Sequence, residues 1–192
     1  NHKSSPAYPD LQINQQFEIR IKASYDYCIG GTQMSLSSRA IQDAHRHFST
    51  TCFNQTWEIL NKESRSPEEE DLLIQLSLTS YYHWRQRSDH KPENISVALW
   101  LISRVYSVLN QSRNARIYGQ RCLQYSQENK LNLFYTGYAY EALTRAEISA
   151  RNREQAQDFL KAAEEMLKQV KDNEENSLLN ADLDSLHNQL FE

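Results

Sequence analysis

The middle of the chain contains an internal repeat, in which residues 98–122 match residues 139–163, and this repeat restricts the fold more than any other feature. Eight positions of the first copy match the second, and four of the matches involve small residues. The matched pairs are Ala98 and Ala139, Ile102 and Leu143, Ser103 and Thr144, Arg104 and Arg145, Val105 and Ala146, Ala115 and Ala156, Tyr118 and Phe159, and Cys122 and Ala163. Apolar positions recur at helical spacing, so each copy is predicted to be a pair of helices. Repeated helix pairs bury their faces against their neighbours, and we therefore expect an all-α, right-handed solenoid.

Glycine and proline are rare, with four of each among 192 residues. A β-sandwich or barrel needs a turn about every 8–12 residues and builds its turns largely from such residues. The chain also lacks the GxGxxG and GxxxxGK motifs of nucleotide-binding α/β domains. Apolar periodicity instead predicts about seven helices stacked as antiparallel hairpins. They cover residues 38–62, 67–89, 92–109, 113–128, 132–150, 153–171 and 174–190.

The clearest helix start is Ser66-Pro67-Glu68-Glu69, which is predicted to form a capping box with proline in the first helical position. Residues 1–33 differ from everything that follows, because they are polar, contain alternating apolar residues at 17, 19 and 21, and end in Gly30-Gly31. They are interpreted either as an upstream-derived leader or as an arm that packs on the body. Residues 34–192 are predicted to be one helical domain.

The net charge of −4 and the pI of about 5.9 argue against a general nucleic-acid binder, because such proteins carry a strong basic excess. Three cysteines at wide spacing, Cys28, Cys52 and Cys122, form neither a disulfide framework nor a zinc motif. They predict reduced thiols and a cytoplasmic protein. No apolar run approaches the length of about 18 residues that a membrane-spanning helix needs, and no signal peptide is visible, so we expect no membrane partner.

No catalytic or metal-binding motif is recognisable in the sequence. His45 and His47 would project to opposite sides of a helix, and the HExxH pattern is absent. No serine or cysteine lies in a glycine-bracketed turn, and Cys52 and Cys122 fall on apolar faces, where cysteine behaves as a small hydrophobe. The chain is therefore predicted to be no enzyme and to bind neither a metal nor a cofactor.

The first copy of the repeat resembles a degenerate tetratricopeptide repeat. The residues that carry the resemblance are Leu99, Ile102, Ser103, Tyr106, Ala115, Cys122 and Leu123. The second copy has Glu147 where the family has a tyrosine, and Asn110 and Arg151 stand where it has loop glycines. The period is also longer than the family's usual length of about 34 residues. A longer stretch, from Ala44-His45 to Tyr138-Ala139-Tyr140-Glu141, is similar to bacterial tetratricopeptide-like proteins with no assigned activity.

In tetratricopeptide proteins, the first helix of each hairpin lines a concave groove that holds partner peptides, so the resemblance implies such a groove here. The candidate peptide- or ligand-binding residues at these positions are Val97, Trp100, Arg104, Tyr138, Glu141 and Arg145. Two arginines in register would present planar forks that bind carboxylates. In the alternative interpretation, Arg145 pairs with Glu141 one turn away, and both arginines serve only the framework.

A second group of polar and aromatic residues lies on the first two predicted helices. It comprises His45, Asn54, Trp57, His83 and Trp84. These residues either pack in the core with their polar tips hydrogen bonded or line a small-molecule pocket between helices.

Three classes of function remain open. The first is a non-enzymatic interaction module that binds a protein or peptide, including an acidic one, through its concave face. The second is a small-molecule sensor that holds an anionic ligand with Arg104 and Arg145. The third, and least favoured, is an enzyme. An open groove favours the first, and a closed pocket of a few hundred cubic ångströms favours the second. Clustered groups with shifted pKa values in a cleft would favour the third.

Overall fold

The computed structural model of the protein describes residues 37–191. Over this range it contains seven helices and no strand, which confirms the predicted all-α class. The helices are α1 (Ser38–Leu60), α2 (Pro67–Gln86), α3 (Pro92–Val108), α4 (Ser112–Glu128), α5 (Leu133–Ser149), α6 (Arg153–Leu167) and α7 (Asn173–Phe191). The predicted arm or leader, residues 1–33, lies outside the described residues.

The start of α2 is the capping box that the sequence predicts. The Ser66 side chain accepts a hydrogen bond from the Glu69 amide at 3.3 Å, and the Ser66 amide donates to Glu69 Oε2 at 2.9 Å. The helix ends at Gln86, three residues before the predicted end, because Arg87 adopts an extended conformation. Its guanidinium then pairs with Asp89 at 2.9 Å, an ion pair that periodicity alone does not indicate.

Three helices end with a residue in the left-handed conformation. These residues are Asn110, Lys130 and Arg151, with φ of 55°, 52° and 57°. At each end the next amide donates back to a carbonyl in the last turn, as Gln111 does to Tyr106 at 2.8 Å. Glycine is the residue that adopts this conformation at least cost. These three positions therefore adopt the conformation that glycine prefers, although none of them is glycine.

Each helix packs against the next one along the chain, from α1 on α2 to α6 on α7. In addition, α3 packs against α5, and α5 packs against α7. The small residues of the repeat are all buried between helices: Ala98, Ala115, Cys122, Ala139, Ala146, Ala156 and Ala163. Small side chains let neighbouring helices approach closely, which explains why these positions recur in both copies. The contacts of α5 with both α3 and α7 bring the candidate site residues of three helices together.

Candidate functional site

A charged cluster joins α3 to α5. At its centre is Glu141 of α5, whose side chain is completely buried. One oxygen, Oε2, accepts a hydrogen bond from Trp100 Nε1 at 2.8 Å. The other, Oε1, accepts from Arg104 Nη1 at 3.3 Å and from Nε of Arg145. A buried carboxylate is tolerated only when it is paired and hydrogen bonded. Glu141 can therefore be buried because Trp100, Arg104 and Arg145 donate to it.

Asp182 of α7 adds a second negative charge to this cluster. Its Oδ1 lies 3.1 Å from Arg145 Nη2 and 3.8 Å from Arg104 Nη1. Its Oδ2 accepts a hydrogen bond from the Tyr138 hydroxyl at 2.9 Å. Burial, followed by the charge of Asp182, raises the pKa of the Tyr138 phenol, so this hydroxyl stays protonated and donates.

The two arginines of the cluster face two carboxylates, so the cluster carries no net charge. Burial, followed by repulsion from Arg145, lowers the pKa of Arg104, but a guanidinium starts high enough to remain charged. The side chains of Arg104 and Arg145 are only 21% and 12% exposed. Both arginines bind the same carboxylate, Glu141, and they are neutralised by Glu141 and Asp182.

A row of aromatic rings crosses α1, α3 and α5 beside the charged cluster. The ring centroids of Trp57 and Trp100 lie 5.8 Å apart, and those of Trp100 and Tyr138 lie 5.4 Å apart. The row continues to Phe134, 4.9 Å from Tyr138. The Arg104 guanidinium lies 5.9 Å from the Trp57 ring and 6.0 Å from the Trp100 ring, within the range of cation–π attraction.

Two clefts that share lining residues open on the helical domain, and the second of them contains three rings of this row. The first, of about 250 Å³, is lined by Thr50, Phe53, Asn54, Trp84, Glu93, Asn94, Val97 and Tyr135. The second, of about 190 Å³, is lined by Ser96, Val97, Trp100, Phe134, Tyr135 and Tyr138. Because the two clefts share Val97 and Tyr135, they form one depression across α1, α2, α3 and α5. We call it the aromatic groove.

The six residues predicted at groove-lining positions divide between these two features. Val97, Trp100 and Tyr138 line the aromatic groove. The other three, Arg104, Glu141 and Arg145, form the charged cluster, which holds Trp100 and Tyr138 through their polar atoms. The charged residues thus support the groove rather than line it.

The second predicted group does not form one pocket. Asn54 and Trp84 line the aromatic groove, while Trp57 packs on Trp100. His45 lies nine residues before Asn54 on α1, which places it about 13 Å away along the helix. Its Nδ1 lies 2.8 Å from Nδ1 of His83, and burial together with His45 lowers the pKa of His83.

Several residues of the site are absent from the predicted set, among them Tyr135 of the aromatic groove and Asp182 of the charged cluster. Tyr135 lines both clefts, but its position has no equivalent among the groove-lining positions of the family resemblance. Asp182 follows Glu141 at the spacing that also separates Trp100 from Glu141, but the residue types differ, so the repeat does not predict an acidic residue there.

Between residues 37 and 191, no three histidine, cysteine or acidic side chains come together as metal ligands. Burial raises the pKa of the Cys122 thiol to about 12, which keeps it protonated and unreactive. Within the same range, no helix is long and apolar enough to cross a lipid bilayer.

Comparison with known families and curated sequences identifies no relative from which a role could be transferred. The sequence matches no protein-family model, and no curated protein sequence matches it. The candidate site is therefore interpreted from its own chemistry.

Proposed function

We propose that this chain is a non-enzymatic interaction module, a tetratricopeptide-like right-handed solenoid that binds a peptide segment of a partner protein in the aromatic groove. The contacts of α3 with α5 and of α5 with α7 support the stacked arrangement, as does the recurrence of left-handed turns at the ends of α3 and α5. The free thiols of Cys52 and Cys122 are consistent with the proposed cytoplasmic location.

The observation that carries this proposal is the aromatic groove itself. Its walls come from four helices, and four of the lining side chains, Val97, Trp100, Tyr135 and Tyr138, are partly exposed, with Trp100 and Tyr138 packing at the edge of the core. Aromatic side chains with one polar end contribute large contact areas at low entropic cost and are enriched at protein interfaces. An open depression of this composition suits the apolar side chains of a bound peptide.

The charged cluster prepares the groove for binding. The indole of Trp100 is fixed by its hydrogen bond to Glu141, and the ring of Tyr138 is fixed by its hydrogen bond to Asp182. A surface whose side chains are already ordered loses less conformational entropy when it binds a partner. The arginines thus favour binding indirectly, by holding the carboxylates that hold the aromatic rings.

The pairing of the arginines also predicts the chemistry of the partner. An acidic peptide would gain little from Arg104 and Arg145, because both guanidinium groups already face carboxylates. Insertion of apolar side chains is the main source of affinity that this groove offers. Binding should therefore depend only weakly on salt concentration, since apolar contacts are not screened and Glu93 is the one charged residue among those that line the groove.

A capture experiment with two matched variants tests the proposal. Val97→Glu places a charge at the point where the two clefts meet. Ile117→Glu makes the same change on α4, at an exposed apolar position that lines neither cleft. Both variants should fold, which far-UV circular dichroism checks.

Partners retained by the tagged wild-type protein from native lysate are identified by mass spectrometry. We expect the same partner on the Ile117→Glu protein and its loss from the Val97→Glu protein. Equal capture by both variants would contradict the assignment of the aromatic groove as the binding surface. Loss from Ile117→Glu alone would assign the partner to the surface around Ile117.

A further inference from the structure

The first cleft of the aromatic groove combines aromatic rings with a single acid. Three of the side chains that line it are aromatic, those of Phe53, Trp84 and Tyr135, and Glu93 is the charged one. The cleft has a volume of about 250 Å³, and no lysine, arginine or histidine is among the described residues that line it. We call it the Glu93 cleft.

The carboxylate of Glu93 has no partner in the part of the chain that the structure describes. The residue is the second of α3 and is half-buried. Between residues 37 and 191, no cation forms an ion pair with it and no donor hydrogen bonds to it. Glu141 and Asp182, the two acids of the charged cluster, are by contrast both paired with arginine. A carboxylate that is partly removed from water attracts a cation more strongly than a fully exposed one, so Glu93 offers an unused site for a positive charge.

The charge of Glu93 acts on the aromatic wall of the cleft. Burial, followed by the charges of Glu93 and Glu175, raises the pKa of the Tyr135 phenol. This hydroxyl therefore stays protonated beside a negative potential. The faces of aromatic rings are themselves negative and attract cations, so the rings and the carboxylate favour the same kind of ligand group.

One ring of the cleft already binds a cation from within the chain. The Arg87 guanidinium lies 4.0 Å from the centroid of the Trp84 ring. Arg87 does not line the Glu93 cleft, and its charge is paired with Asp89 at 2.9 Å. It therefore leaves the carboxylate of Glu93 without a counter-ion.

We propose that the Glu93 cleft binds a lysine or arginine side chain of the partner peptide. This inference rests on the proposed function, because the rest of that peptide would place apolar side chains along the aromatic groove. Both side chains have a long apolar stem and a charged end. The stem would contact the aromatic rings, and the charged end would face the Glu93 carboxylate. A single contact of this kind is compatible with the weak salt dependence expected for the groove as a whole.

Glu154 provides a matched control for the position of Glu93 in its helix. An acid in the first turn also stabilises a helix through the helix dipole, wherever that turn lies. Glu154 is likewise the second residue of its helix, α6, but it is exposed and lines neither cleft of the groove. Glu93→Gln and Glu154→Gln thus remove the same charge from the same helical position, and only the first removes it from the cleft.

Three probes are titrated separately into the full-length wild type and both variants at constant ionic strength. They are N-acetyl-lysine amide, N-acetyl-arginine amide and the uncharged N-acetyl-norleucine amide. Two-dimensional NMR follows the indole N–H signals of Trp57, Trp84 and Trp100. Trp84 lines the Glu93 cleft and Trp100 lines the second cleft, so the signals report which cleft a probe enters.

We expect a saturable shift of the Trp84 signal with at least one charged probe, in the wild type and in Glu154→Gln. This probe should bind about tenfold more tightly than the norleucine probe, and Glu93→Gln should remove the difference. The tighter of the two charged probes identifies the side chain. Equal binding of charged and uncharged probes by the wild type, no saturable binding of either charged probe, or equal losses in the two glutamine variants would overturn the inference. Failure of the proposed function is seen separately, as equal capture of the partner by Val97→Glu and Ile117→Glu.

Discussion

Replacing Glu141 by glutamine tests whether the charged cluster holds α3, α5 and α7 together. Glutamine has nearly the same size, but it is neutral and places an amide donor where the carboxylate accepted bonds from Trp100, Arg104 and Arg145. Both arginines are then left with Asp182 as the remaining carboxylate of the cluster.

The expected loss of stability follows from the burial of the groups involved. Removing one partner of a buried ion pair costs about 3–5 kcal/mol, because the remaining charge is left unpaired. Arg104 and Arg145 keep 21% and 12% of their side-chain surface exposed, so water compensates in part and the lower end of the range applies. We therefore expect a loss of about 3 kcal/mol. For a chain of this size such a loss lowers the melting temperature by roughly 6–12 °C.

Urea unfolding followed by circular dichroism at 222 nm measures this loss. Glu165→Gln is the matched control, because Glu165 pairs with Lys168 on an exposed surface and its side chain is 52% exposed. Exposed ion pairs contribute about 0–1 kcal/mol, so the control should unfold almost like the wild type. If Glu141→Gln lost no more stability than Glu165→Gln, the charged cluster would not be a structural support.

Three further measurements check other parts of the structure. Gly137→Ala should lower the unfolding free energy by about 1–3 kcal/mol in a urea titration, because the new Cβ would lie 2.6 Å from Leu179 Cδ2 in the core; a more stable variant would show that the α5–α7 contact is looser. Cys122 should resist iodoacetamide at pH 8 in the native protein and react in urea, since its thiol has a pKa of about 12; rapid native labelling, located by peptide mapping, would refute this. Burial and His45 lower the pKa of His83 in the folded state, so the unfolded state binds a proton more readily. The contribution of His83 to the free energy of unfolding should be fully present above pH 6.5 and should be lost as the pH falls below this value. The decrease in unfolding free energy between about pH 7 and 5 should therefore be smaller in His83→Gln than in the wild type.

The sequence predicts the helices well because local chemistry determines where they start. The capping box of Ser66 and Glu69 forms as expected, and the helices begin within one residue of their predicted positions. The predicted helix ends are less accurate: α2 ends at Gln86 rather than at the predicted residue 89, and α6 ends at Leu167 rather than at the predicted residue 171. At the end of α2, the ion pair of Arg87 and Asp89 stabilises an extended backbone that apolar periodicity cannot indicate.

The composition of the site could be predicted in part, and its charge balance could not. The candidate residues named from the repeat do meet in the structure: Trp100 donates to Glu141, and Arg104 and Arg145 both bind Glu141. The balance depends on Asp182, and only the structure shows that this carboxylate of α7 reaches Arg145.

Hydrogen exchange of the protein with its captured partner tests the central proposal most directly. Exchange is measured by mass spectrometry on the free protein and on the complex, and the difference is mapped on the described helices. A partner in the aromatic groove should slow exchange in the segments around Thr50–Trp57, Glu93–Trp100 and Phe134–Tyr138, and leave α4 and α6 unchanged. Slowed exchange confined to α4 and α6, with the three groove segments unaffected, would contradict the assignment of this groove as the binding surface.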